Sequence, residues 1–334
     1  MAPGTHASER ALRKPIRKAV LLGLTLSCWL WTACRSKNPL TIAVIPRTSG
    51  TSLWEPVHVG AEVAASDIGA RIYWNATTRE DDVQGQIALV EKVIDRGYQG
   101  IVLAPDQSLA LITPVHRGIS AGIPIVIIGS PLPIPPGGKL TYILNDDEEA
   151  GRMAAMRVAE LLHGKGSVAI LGIDPDIAGV MTRGRSLERF LIERYPKIKV
   201  VEKKMGSFNV PYDQQIAEET LRKNSDLNAI IALTSISTRA ACSALERLNS
   251  RKTIKVVGFD DPDTPNWFQS ARLDSLIIQN SREMGLQAIR AVGAQVQGKA
   301  VAPETKLKPI LISRENLHTP EIQKMLSMTW RTEQ

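Results

Sequence analysis

VVGFDDPD (256–263) opens with four uncharged residues, Val256 to Phe259, and ends in three acids within four positions. A short apolar run of this kind reads as a strand buried on both faces, as in parallel sheets. Its acids then sit at the carboxyl end of the strand. That is where open parallel sheets bind their ligands.

Similar runs recur along the chain. They are LTIAVI (40–45), RIYW (71–74), GIVLA (100–104), IPIVIIG (123–129), SVAILG (167–172), IKVVE (198–202), NAIIAL (228–233), IKVVGF (254–259) and LDSLIIQ (273–279). Amphipathic stretches separate them. In 80–97, Val83, Ile87, Val90 and Ile94 fall at spacings of three and four, and Gly97 follows as a helix stop. In 146–163, Ala150, Met153, Ala154, Val158, Leu161 and Leu162 repeat the pattern before Gly164. Pro211 opens a third helix, with Ile216, Thr220 and Leu221 facing inward. Met284, Ile289 and Val296 mark a fourth over 281–297. Repeated βα alternation predicts parallel sheets with helices on both faces. The strands are too many for one compact sheet, so two similar halves are expected. PLPIPPGGKL (131–140) reads as a loop after the fourth strand, since proline removes ladder donors.

The 334 residues carry a formal charge of +7, and 43% are hydrophobic. Much of that charge lies in residues 1–33, where Arg10, Arg13, Lys14, Arg17 and Lys18 stand against Glu9 alone. No dense basic patch interleaved with aromatics follows, which argues against nucleic acid as a partner. The basic stretch 10–18 precedes an apolar one, AVLLGLTLSCWLWTA (19–33), short for a membrane span and suited to a signal peptide. Thr32-Ala33-Cys34 resembles a bacterial lipobox, with Trp31 where that pattern prefers Leu. A lipidated Cys34 implies a mature protein tethered to a membrane in the periplasm or cell envelope. A plain signal peptide or an uncleaved anchor is the alternative. Cys242, in an Ala-rich helical pattern, is expected in the core.

The order and spacing of several segments resemble one family. They are TIAVIPRTSGTSLWEPVHVGAEVAA (41–65), GIVLAPDQ, AGIPIVIIG, LNDDEEAGRMAA, the R-G-R of MTRGRSLERF, VVGFDDPD and LIIQNSREMG. Over 40–316 the chain resembles periplasmic sugar-binding proteins of the ribose/galactose type, related to the ligand domain of lactose-repressor-type regulators. A targeting segment stands where a repressor would carry a helix-turn-helix. The resemblance implies a type I periplasmic binding protein fold, two doubly wound α/β lobes joined by a three-crossing hinge. One lobe would take 40–144 plus 280–308, the other 145–279 plus 309–316, with 317–334 a peripheral tail. Closure of the hinge would bury the ligand.

The resemblance places ligand contacts at Thr51, Leu53, Trp54, Gly129, Ser130, Arg183, Phe208, Thr234, Asp260 and Gln279. Sugars present hydroxyl edges and apolar C–H faces, so planar polar groups and aromatic rings suit them. Asp260 is expected to accept hydroxyl hydrogens, leaving capping to Asp261 or Asp263. Arg183, expected where a helix begins, offers a fork of donors. Gln279 can donate and accept, and Trp54 and Phe208 can stack. Gly129-Ser130 stands where relatives carry an acid-arginine pair, and Thr234-Ser235 where they carry asparagine-aspartate. Leu53 replaces an aromatic. The pocket is therefore expected to be less polar than a ribose site. A pentose or hexose leads, with a modified sugar, a furanosyl signal molecule or a less hydroxylated ligand as alternatives. Arg47, beside the first strand mouth, is expected to be solvated; supplying charge to an acidic ligand is its other reading.

The expected function is solute capture for the permease of an ABC-type importer, or ligand presentation to a membrane chemoreceptor or sensor kinase. An enzyme is disfavoured, because G-x-G-x-x-G, Walker and G-x-S-x-G patterns are missing and the five histidines show no metal spacing. No cofactor or metal is expected.

Overall fold

The computed structural model describes residues 1, 39–49, 54–79, 81–207, 209–248, 254–260, 268 and 272–323. The targeting segment with Cys34 lies outside them, as do Thr51, Leu53, Phe208, Asp261 and Asp263.

Among the described residues, two six-stranded sheets organise the fold. The first sheet holds β1 (Leu40–Ile45), β2 (Ala70–Trp74), β3 (Gly100–Leu103), β4 (Ile125–Gly129), β5 (Leu140–Asn145) and β11 (Glu304–Leu307). Its order is β11-β5-β4-β3-β1-β2, all parallel. The second holds β6 (Gly166–Ile173), β7 (Ile198–Met205), β8 (Ala229–Ala232), β9 (Lys255–Phe259), β10 (Ser275–Ile278) and β12 (Ile310–Ser313). Its order is β12-β10-β9-β8-β6-β7, parallel except for β12 against β10.

Central strands bury every residue, as in Ile42–Ile45 and Ala229–Ala232, because helices cover both faces. In the first lobe α1 (Glu55–Ile68) and α8 (Ser281–Val296) lie on one face. On the other lie α2 (Val83–Asp95) and α3 (Ile112–Ser120). In the second lobe α4 (Asp147–Leu161) and α5 (Ala178–Arg194) pair on one face. There α6 (Val210–Lys223) and α7 (Ser235–Arg247) pair on the other. After the buried Ile198, the edge strand β7 alternates exposed and half-buried residues, since one of its faces is open to solvent.

Helix starts follow local chemistry. Asp82, Asp146 and Asn209 each accept a backbone N–H three residues on, at 2.9–3.0 Å. Gly97, at φ 70°, ends α2 in the left-handed region open to glycine. The loop 131–139 is stitched down by Tyr142, whose hydroxyl donates to the Ile134 carbonyl at 2.7 Å. Burial pushes that phenol up to about 12.

The chain passes between the sheets three times: after β5, after β10 and after β11. The first and third passages are joined, Asp146 N donating to the Leu307 carbonyl at 2.9 Å.

Three expectations need correction. Residues 317–323 are not peripheral: Leu317 and Ile322 pack into the second lobe's core beside Cys242, because the chain after β12 folds back across that face. Val296 is exposed, since α8 ends there and turns its last residues outward. Arg183 lies well inside α5 and is buried, because the helix already begins at Ala178.

Two glycines set how closely α1 and α8 approach. A Cβ on Gly60 would stand 1.9 Å from the Arg282 carbonyl oxygen, and one on Gly285 2.0 Å from that of Val57. Gly285→Ala is expected to force these helices apart and to cost about 1–3 kcal/mol, the usual scale for overpacking. Urea denaturation of the variant against wild type measures it.

Candidate functional site

The strand ends of both sheets face one cavity. Trp54, Gly129, Ser130, Arg183, Thr234, Asp260 and Gln279 all line it.

Arg183 is the hub. Its side chain is about 6% exposed, so the charge needs partners. Nε donates to Asp147 Oδ1 at 2.8 Å, and Nη2 lies 2.7 Å from the same oxygen. Nη1 donates to the Leu233 carbonyl at 3.1 Å and to Asp260 Oδ2 at 3.3 Å. The guanidinium stacks 4.7 Å from the centre of the Phe259 ring. Gly151 of α4 permits this placement: a Cβ there would meet the Arg183 carbonyl oxygen at 2.1 Å.

Asp260 follows β9 with φ 50°, a left-handed conformation that aspartate tolerates better than most residues. Its N–H donates to the Ile277 carbonyl at 3.1 Å, and its Oδ1 accepts from Gln279 N at 3.0 Å. The acid therefore grips the passage out of β10 as well as Arg183. Burial pushes the carboxyls of both Asp147 and Asp260 up, and the Arg183 charge offsets part of that rise.

Other lining groups are already engaged. Thr234 forms a capping box with Ser237, its Oγ1 accepting from Ser237 N at 3.1 Å. Ser207 donates to Asp213 Oδ1 at 2.6 Å and accepts from Asn209 N at 3.1 Å. Gly129, at φ 79°, ends β4 in the left-handed region open to glycine, beside the ring edge of Trp54. Ser130 reaches the other lobe, its Oγ 3.0 Å from where a Cβ on Gly179 would be.

Arg47 is a correction. It lines the cavity at 14% exposure, with Nε 3.5 Å from Asp106 Oδ1, rather than projecting into solvent. The buried carboxylate of Asp106 draws the Arg47 guanidinium to the wall. Sequence reasoning missed Asn145, Asp174, Ile177, Val180 and Ile236, which also line the cavity. Asn145 lies inside the LNDDEEAG segment, so a signal was present. The apolar three sit at or near helix starts, where periodicity cannot separate a pocket residue from a core one. Among the described residues, no group of three or more His, Cys, Asp or Glu side chains could hold a metal ion. No helix among them is long and apolar enough to cross a membrane.

A cavity between two parallel-sheet lobes joined by three passages defines a type I binding protein. The model of the periplasmic binding protein domain matches residues 42–300, and the chain belongs to that family. The ribose import binding protein of Bacillus subtilis (strain 168) is 28% identical over 302 residues, covering 86% of this chain and 95% of that protein. The D-allose-binding periplasmic protein of Escherichia coli (strain K12) is 25% identical over 300 residues, covering 86% and 94%. A carbohydrate transporter solute binding protein from Agrobacterium radiobacter, solved with D-arabinose, shares the fold. Its TM-score is 0.81 at 24% identity, over 87% of this chain and 100% of that one.

The two buried carboxyls bear on stability. Unfolded aspartates titrate near about 3.9. With folded values raised, the native state binds protons more readily than the unfolded chain. The pair's contribution therefore falls as pH rises from about 4 through the folded values. Asp260→Asn is expected to flatten that decline, measured as melting temperature against pH. Asp147→Ala, which strips Arg183 of its nearest partner, is expected to cost about 3–5 kcal/mol in urea denaturation.

Proposed function

We propose that this chain captures a monosaccharide between its two lobes outside the cytoplasm and delivers it unaltered to the membrane permease of an ABC-type importer. The lobes are residues 40–144 plus 280–308 and 145–279 plus 309–316, and bending at the three passages closes them over the ligand. Residues 1–33 act as a signal peptide, and Cys34 carries the lipid that anchors the mature protein to the membrane. No chemical step is assigned to the protein itself.

The Asp260–Arg183 pair carries this reading. A charged acceptor beside a planar donor, with Trp54 nearby, suits a ring bearing hydroxyls on its edge and C–H groups on its face. The near-complete overlap with the ribose and D-allose relatives gives further support. Thr51, Leu53 and Phe208 complete the contact set in this proposal, together with Gly129, Ser130, Thr234 and Gln279.

Thermal shift of the mature protein against a monosaccharide panel tests it. A ligand that binds the native state raises the melting temperature, by about 2.7 kcal/mol of stabilisation at a hundredfold excess over Kd. One or more sugars are expected to do so, and Asp260→Ala is expected to abolish the shift. A panel in which only acidic or nucleoside ligands shift the protein would refute sugar capture. For the anchor, Cys34→Ser is expected to move the protein from the membrane fraction to the soluble one on fractionation.

A further inference from the structure

Four charged residues line the cavity, and three of them are answered by opposite charges. Arg47 stands 3.5 Å from Asp106, and Arg183 is shared between Asp147 and Asp260. The fourth, Asp174, has no ion-pair partner among the described residues. It is half-buried. Its Oδ1 accepts from the Asp176 N–H at 3.0 Å, which leaves Oδ2 uncommitted.

The path of the chain puts Asp174 at a strand mouth. β6 ends at Ile173, whose carbonyl accepts from Gly206 N at 2.9 Å, and Asp174 comes next. Gly172, at φ 81°, lies against the start of α7: a Cβ on it would stand 2.3 Å from Ser237 Oγ and 3.2 Å from Thr234 Oγ1. The end of β6 and the first turn of α7 therefore touch, and Ser235 lines the cavity from that turn. Thr234 and Ser237 complete the capping box between them, so the Ser235 hydroxyl is not needed there. It has no hydrogen-bond partner among the described residues. Thr234, Ser207 and Asp260 are held by the protein, whereas Asp174 and Ser235 keep capacity for a ligand.

We propose that Asp174 is a specificity-determining contact, accepting hydroxyl hydrogens from the part of the ligand that faces the mouth of β6. The Ser235 hydroxyl is a second partner from the neighbouring helix start. Neither position is among the contacts that the family resemblance assigns. Closure over a ligand strips water from the cavity, and a carboxylate without a cation then needs donors in place of that water. A ligand with hydrogen-donating groups there meets the need. One with a hydrogen or an ether at that place leaves the charge unpaired, and one with a carboxylate is repelled. This rests on the reading of the chain as a sugar-capturing protein and adds a demand on which sugars it takes.

Isothermal titration with the tightest sugar of the monosaccharide panel, and with its monodeoxy analogues, tests this. Asp174→Ala is expected to weaken the parent sugar at least about tenfold, a difference of about 1.4 kcal/mol. Asp174→Asn keeps an acceptor for the Asp176 N–H, so it is expected to weaken binding without lowering the melting temperature of the free protein. In wild type, at least one deoxy analogue is expected to bind about tenfold more weakly than the parent. In Asp174→Ala that penalty is expected to shrink to about threefold or less, a coupling that a purely structural role would not produce. The same comparison within the variant decides the matter even where Asp174→Ala is less stable. An Asp174→Ala affinity within about twofold of wild type, or a full penalty for every deoxy analogue in the variant, overturns this proposal and leaves sugar capture standing. A panel in which no sugar binds overturns sugar capture, and this proposal with it.

Discussion

A guanidinium buried at the bottom of a cleft constrains everything around it. Arg183 is tolerable there only because two carboxylates, a carbonyl and an aromatic face surround it. Those partners come from distant parts of the chain. Asp147 opens α4 just after the first passage between lobes. Asp260 ends β9 and, through Gln279 N, holds the second passage. The cluster thus ties the site to the segments that pass between the lobes. Buried ion clusters of this kind are better understood as fixing one arrangement than as adding stability.

Close helix packing makes that arrangement possible. In the first lobe Gly60 and Gly285 let α1 and α8 touch backbone to backbone. In the second, Gly151 lets α4 press on α5 at Arg183 itself. A side chain at any of these positions would move a helix by a sizeable fraction of an ångström. Hydrogen bonds in the site have little tolerance for such a shift. Core packing and site geometry are therefore one constraint, because interiors are close-packed and transmit strain.

The cavity's chemistry depends on how its polar groups are spent. Counting polar residues at its wall would suggest a strongly hydrophilic site. Most of those on the second lobe are committed to the protein, holding a helix start or one another. What a ligand meets is residual lone pairs and donors, Asp174 and Ser235 among them, beside the side chains of Ile177, Val180 and Ile236. A binding protein gains from such pre-organisation, since groups held by the fold lose little entropy when the ligand arrives. The same commitment limits how many polar groups of a ligand it can satisfy.

The order of strands and helices was legible in the sequence because it rests on local periodicity. Ile125–Ile128 and Val256–Phe259 must be buried on both faces wherever they lie. The charges of Asp260 and Arg183, and the position of Asp260 at a strand mouth, could be read in the same way. What the sequence left open was who meets whom. Arg47 looked like a surface residue and lines the cavity; residues 317–323 looked like a tail and cover a core face. Ile177 and Ile236 gave no pocket signal, because an apolar residue at a helix start looks the same facing a ligand or a core. Pairing between Arg183 and Asp147, 36 positions apart, or Asp260, 77 positions apart, arises only when the second sheet and its helices assemble. Periodicity is a property of neighbours along the chain, whereas charge compensation and cavity lining depend on distance in space.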